Sequence, residues 1–276
     1  MEQCLHQWFF LDGKLRSSCD FHEGLFSAES AVYEVIRVID GKPLFFEEHL
    51  ERFDESAQLA GIRPFPNKQF IYNAVRLLIE TNSISIGNFK LFLGRQFSSA
   101  NPVIAAWLIP FFYPSDYMYK SGVSVLLLRH ERSQPNAKIV RTDFKTKVEE
   151  EMRRTGAYEL LLHHDGKITE GSRSNVFFIV DGVLFTAPDE TVLKGITRKK
   201  VLETIHESGL PLNMSAVDVD RLDTVQAAFL CGTSPKVLPI CSIDNRYQLH
   251  AAHPYIGKIS RRFEQKINEN LERFAW

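Results

Sequence analysis

A chain of 276 residues is long enough for one large domain or two modest ones with substantial cores. With 44% apolar and 24% charged residues and a formal net charge of −1, it reads as a soluble globular protein without the basic stripe that nucleic acid selects. No apolar run reaches the length of a bilayer span, and no basic-then-apolar leader opens MEQCLHQWFF. Cys4, Cys19, Cys231 and Cys241 lack paired C-x-x-C spacing, so the expectation is reduced thiols in a cytoplasmic protein, with neither a disulfide frame nor a zinc site.

Taken in order, Trp8 to Leu11, Asp12-Gly13 and Lys14-Leu15 predict a small hairpin, because Asp-Gly supplies the positive φ angles of a tight turn. Asp-Gly recurs at Asp40-Gly41, Asp165-Gly166 and Asp181-Gly182, which predicts antiparallel sheet throughout. Ala31 to Ile39 alternates, with Val32, Glu34, Ile36 and Val38 on one side and Tyr33, Val35, Arg37 and Ile39 on the other. Glu47 to Ala60 has helical spacing and Gly61 stops it. Asn67 caps a second helix, Lys68 to Thr81, whose expected buried face is Ile71, Ala74, Leu77 and Leu78. Strands follow at Phe89 to Gln96 and Val103 to Pro110, and turn-rich residues 112–122 supply an interdomain linker.

Beyond the linker, Val123 to Leu128 predicts a buried strand, and Val140 to Phe144 a strand running into Lys145. Lys147 to Thr155 is helical, two hairpin-like pairs span Tyr158 to Phe185, and a helix opened by Gly195 or Thr197 closes at Gly209. Short strands at Val225 to Leu230 and Val237 to Ile243 precede a final helix with Pro254 in its first turn and Ile256, Ile259, Phe263, Ile267, Leu271 and Phe274 at helical spacing. The expected class is α+β, in two domains. Residues 1–115 form a smaller N-terminal α/β domain and 116–122 the linker. Residues 123–276 form a larger, mainly antiparallel β domain with flanking helices, and a site lies between the two.

Three stretches can carry chemistry. If Val140 to Lys145 is extended, Arg141, Asp143 and Lys145 share a face, and a neighbouring cation favours the free amine that attacks an aldehyde; a surface lysine paired with Asp143 fits the same spacing. Glu170, in Thr169-Glu170-Gly171-Ser172, reads from the residues alone as a solvated turn residue. Leu193-Lys194-Gly195-Ile196-Thr197-Arg198 places a small residue before a helix, which suits a phosphate dianion or a plain capped turn. His163-His164-Asp165 sits before an Asp-Gly turn, and His49 has no second ligand at i+4, so no metal is expected.

The ordered series YEVIRVIDG, EEHLERF, DFK, GAYELLLHHDGKITEGSRSNVFFIVDG, LKGITR and CGTSPKVLPI resembles the class IV aminotransferases, the branched-chain and D-amino-acid type that use pyridoxal 5'-phosphate (PLP). The resemblance covers about the whole chain, most clearly Ala31 to Ile243. It implies Lys145 as the Schiff-base lysine, Glu170 as the ring-nitrogen carboxylate with Asn175 in the same motif, and Arg52, Gly195, Ile196, Thr197, Thr233 and Ser234 around the phosphate. Tyr33 matches a pocket tyrosine, and Lys90 or Arg95 is a candidate for a substrate carboxylate. The known substrate signatures are incomplete. Gln96 to Asn101 holds neither the arginine nor the histidine of the D-amino-acid carboxylate trap, and Glu150 stands where branched-chain members have a tyrosine. Phe26 to Ala31 replaces a Gly-Asp-Gly-like segment. The implied activity is transfer of an amino group between an amino acid and a 2-oxo acid by a homodimer. A 4-amino-4-deoxychorismate lyase is the alternative, and a non-catalytic relative the third reading.

Overall fold

Every one of the four Asp-Gly pairs turns a hairpin in the computed structural model, which describes residues 3–26, 28–95 and 101–276. Both residues of each pair have positive φ, from Asp12 (45°) and Gly13 (90°) to Asp181 (48°) and Gly182 (74°), the backbone that matches strand twist in a two-residue hairpin. The substrate-signature stretch Gln96–Ala100 lies outside the described residues, as does Ser27. The chain forms two units. One takes in Met1–Phe112, Ala137–Val140 and Ile267–Trp276, and the other Tyr113–Asn136 and Arg141–Lys266.

In the first unit, β1 (Trp8–Leu11), β2 (Lys14–Ser17), β3 (Ser30–Ile39), β4 (Lys42–Pro43), β5 (Ile86–Arg95) and β6 (Val103–Ile109) make an antiparallel sheet in the order β2-β1-β6-β5-β3-β4. Helices α1 (Phe46–Leu59) and α2 (Lys68–Thr81) cover one face. Val32, Ile36 and Val38 of β3 pack there with Leu50, Phe53, Ala57, Ile71 and Leu78, as the alternation of β3 requires. Leu77 is a correction. It is 44% exposed, because the stripe from Ile71 runs through Ala74, Val75, Leu78 and Ile79. The opposite sheet face carries Phe9, Phe92 and Trp107 under Phe21 and Phe26. Residues Ala137–Val140 return to this unit: Ile139 bridges Val32, and Val140 N–H donates to the Ala31 carbonyl.

The second unit is built on one sheet. Its strands are β7 (Val123–Arg129), β8 (Glu159–His164), β9 (Lys167–Gly171), β10 (Asn175–Val180), β11 (Val183–Phe185), β12 (Leu212–Asn213), β13 (Val217–Asp218), β14 (Ala227–Gly232), β15 (Lys236–Ile243) and β16 (Tyr247–Gln248). Their order is β12-β11-β10-β14-β15-β7-β8-β9-β13, with β16 on β15. The sheet is mixed rather than antiparallel throughout, since β7 runs parallel to both β8 and β15. A parallel pair needs a crossover, and the helix between β7 and β8 supplies it. The remaining helices are α3 (Asp116–Ser121), inside the stretch expected as linker, α4 (Thr142–Thr155), α5 (Ile196–Glu207) and α6 (Pro254–Arg273). The strand expected over Val140 to Phe144 gives way to the first turn of α4. Along α6, Ile256, Ile259, Phe263 and Ile267 are buried as their spacing predicts.

Candidate functional site

Strand β3 points Tyr33 and Glu34 to opposite faces of its sheet. Glu34 is fully buried toward α1, where His49 and Arg52 stand three residues apart on one helix face. Arg52 donates from Nε to Glu34 Oε1 and from Nη2 to Oε2, both at 2.7 Å, and His49 Nδ1 lies 2.8 Å from Oε2. Burial alone would raise the Glu34 carboxyl, but the Arg52 guanidinium and His49 overrule it and hold it well below the usual carboxylate range. Burial pushes the His49 imidazole down, against the pull of Glu34 and with help from Arg52 and Lys138. Since a carboxylate only accepts, the Nδ1–H of His49 is the donor in this contact.

On the other face, the Lys90 ammonium sits 4.7 Å from the Tyr33 ring centroid and 5.4 Å from that of Trp107, and it is 7% exposed. The Lys138 ammonium lies 5.0 Å from the same Tyr33 ring. Backbone bonds fix Lys138: its N–H donates to Ser56 Oγ at 3.2 Å, and its carbonyl accepts from Tyr33 N–H at 3.1 Å. Arg95, the other candidate for a substrate carboxylate, pairs with Glu29 at 3.3 Å in an exposed position.

Lys145 is the main correction. It lies on α4 rather than at a strand end, its side chain is 56% exposed, and its Nζ is 3.9 Å from Glu149 at i+4. Arg141, Asp143 and Lys145 consequently do not line one strand face. Only Val148 of α4 is buried, so the helix presents a charged surface.

In the second unit, Glu170 of β9 is buried and held from three directions. Arg132 Nη1 donates to Oε1 at 2.9 Å, and Leu193 N–H to Oε2 at 3.1 Å, with Asn175 Nδ2 3.5 Å from Oε2. Asn175 also donates to the Leu193 carbonyl at 2.9 Å. Gly195 then packs so closely that a Cβ would meet Asn175 Oδ1 at 2.3 Å. It is the N-cap of α5 and supplies no side-chain cap, so the first N–H groups of Ile196 and Thr197 are left to a ligand or solvent. Thr233 and Ser234 are half-buried in the turn between β14 and β15. Asn175 pairs with Cys231 across β10 and β14, and Gly232 approaches Ser174, which brings that turn to the strand end where Asn175 sits.

Sequence reasoning missed Glu34, Arg132 and Lys138. Glu34 and Arg52 are distant in sequence, and no local pattern joins them. A local signal for the helix at Lys145 was available, since Lys145-Thr-Lys-Val-Glu-Glu-Glu carries the i,i+4 charge pairs of a solvated helix face. The His163-His164-Asp165 run holds an exposed pair, His164 with Asp165 at 3.2 Å. No group of three metal-ligating side chains occurs among the described residues. No helix among them is long and apolar enough to cross a membrane.

The amino-transferase class IV family model matches residues 31–243. A D-alanine aminotransferase of Bacillus licheniformis is 29% identical over 243 residues, which is 84% of this chain and 86% of that one. The branched-chain amino acid aminotransferase of Escherichia coli shares the fold with a TM-score of 0.85 at 20% identity, covering 98% of each chain. A putative 4-amino-4-deoxychorismate lyase of Legionella pneumophila shares it with a TM-score of 0.76 at 20% identity, over 86% of this chain and 91% of that one. The chain, an enzyme by this kinship, belongs to the class IV aminotransferase family.

Proposed function

We propose that this enzyme binds PLP and moves an amino group between an amino acid and a 2-oxo acid, with Lys138 rather than Lys145 as the carbonyl-reactive amine. The observation that carries the reading is the continuous chain Glu170–Asn175–Leu193–Gly195. It ties a buried carboxylate to an uncapped helix N-terminus. The residues present fit the cofactor. The α5 N-terminus offers backbone N–H groups and the Thr197 hydroxyl to a phosphate dianion, and Gly195 leaves room for the Asn175 amide against this turn. The buried Ser172 Oγ, next but one to Glu170, has no hydrogen-bond partner among the described residues.

When bound, PLP supplies an electron sink for the carbanion that deprotonation of the substrate α-carbon leaves. Glu170 keeps the ring nitrogen protonated, held in place by Leu193 N–H and Asn175. In the second unit Ile196, Thr197, Thr233 and Ser234 would hold the phosphate; Arg52, which the resemblance adds to them, has its Nε–Nη2 edge fixed by Glu34 in the first unit. Lys138 Nζ would carry the proton from the substrate α-carbon to the cofactor's C4′, ordinary general acid–base work by a positioned amine. Tyr33 and Lys90 flank it on the substrate side, and Lys90 suits a carboxylate better than Arg95, which Glu29 neutralises. A homodimer in the cytoplasm completes the reading, which the free cysteines fit; light scattering on the purified protein checks the dimer.

Borohydride reduction of the PLP-loaded protein, followed by peptide mapping, tests the assignment. A label on Lys138 and glutamate formed from an amino donor and 2-oxoglutarate support it. A label on Lys145 overturns the choice of lysine, pyruvate release from aminodeoxychorismate favours the lyase, and absence of any label favours a non-catalytic relative.

A further inference from the structure

Glu159 opens β8 and is 2% exposed, yet no step above uses it. Its Oε1 accepts from the Arg173 N–H at 2.6 Å and from the Ser174 hydroxyl at 3.0 Å. The turn closes on it tightly. A Cβ at Gly171 would meet Glu159 Oε1 at 2.5 Å and Ser174 Oγ at 2.5 Å, so any side chain there would push this pair apart. Backbone bonds complete the winding, Gly171 N–H to the Ser174 carbonyl and Ser172 N–H to that of Leu160, both at 2.8 Å. Glu170 stands immediately before this turn and Asn175 immediately after it. The Arg173 guanidinium goes instead to the Tyr158 carbonyl, at 2.9 Å. A buried carboxylate is costly unless hydrogen-bonded, and burial pushes this one up. Here its bonds go to the turn.

We propose that Glu159 is a positioning residue: its side chain is the template on which residues 171–174 are wound, and it thereby fixes the aim of the Glu170 carboxylate. This rests on the reading of Glu170 as the partner of the cofactor's ring nitrogen. Displacing a reacting group by about 1 Å costs roughly 10²-fold in rate. Glutamine at 159 keeps a carbonyl oxygen that can accept both bonds, whereas alanine keeps none.

The test uses PLP-loaded protein, with ¹⁵N in the cofactor ring, and four variants: Glu159→Ala, Glu159→Gln, Ser174→Ala and Glu170→Gln. We expect E159A to be trapped by borohydride like the wild type but to lose ring-nitrogen protonation and roughly 10²-fold in kcat, with KM unchanged. E159Q should stay within about threefold of wild type, and S174A, short of one hydrogen bond, should lose about fivefold in kcat. If E159A does not fold, S174A and E159Q decide the matter. Wild-type kcat and ring-nitrogen signal in S174A, or in E159A, overturn the assignment while E170Q still abolishes protonation. If E170Q leaves the ring nitrogen unchanged, the reading of Glu170 itself fails, and the role of Glu159 falls with it.

Discussion

Removing Glu34 should unfold the first unit more readily than any single apolar truncation on its surface. Glu34→Ala leaves the Arg52 guanidinium, whose side chain is 8% exposed, and the buried His49 ring without their shared acceptor. Breaking a buried pair by deleting one partner costs about 3–5 kcal/mol, because the remaining charge stays desolvated. Against a typical total stability of about 5–15 kcal/mol, that is a large fraction. Replacing both members by apolar groups, as in Glu34→Leu with Arg52→Met, should recover much of the loss, since the penalty comes from a buried cation that has lost its carboxylate. Tryptophan fluorescence in urea is the assay. The chain has three tryptophans, and Trp8, Trp107 and Trp276 all lie in the first unit. An E34A protein within about 0.5 kcal/mol of wild type, the range of ordinary surface substitutions, would refute the reasoning.

The two lysines separate cleanly: Lys138→Ala should abolish transamination and borohydride labelling, while Lys145→Ala, on its exposed helix face, should stay within about twofold of wild-type turnover and 0.5 kcal/mol of its stability. Steady-state rates and mass spectrometry of the reduced protein check both, and the opposite pattern returns the chemistry to Lys145. Gly195→Ala, at φ −60°, has no backbone strain, but its Cβ collides with Asn175 Oδ1. It should weaken PLP binding by about tenfold or more with the circular dichroism spectrum retained, and unchanged affinity by fluorescence titration would count against a phosphate at this helix end. Acid should destabilise the first unit in two stages. Burial lowers the His49 imidazole in the fold, so the unfolded chain binds the extra proton as pH falls below about 6.5 and stability declines from there. Glu34 is depressed in the fold, so its contribution is complete above about 4.3 and is lost as pH drops further toward its folded value. Urea midpoints measured from pH 7.5 to 5 should slope less in His49→Gln than in wild type, and equal slopes would remove His49 from this account.

Local chemistry alone settled a good deal. Asp-Gly can take two successive positive φ angles, so the four hairpins were legible before any strand was paired. Alternation put Val32, Glu34, Ile36 and Val38 on the covered face of β3; Glu170, Asn175 and Gly195 came only from the resemblance to the family. Tertiary structure decided what depends on residues far apart in the chain. The parallel pairing of β7 with both β8 and β15 has no local signature, because a crossover helix looks like any other helix. The proposal of Lys138 in place of Lys145 rests on exposure and on the Tyr33 contact, which a D-x-K spacing does not encode. The pairing of Glu34 with Arg52, and the turn wound around Glu159, exist only once separate elements are brought into register. Side-chain charge is a property of the sequence, but whether that charge is solvated, paired or aimed at a ligand is set by what the fold packs beside it.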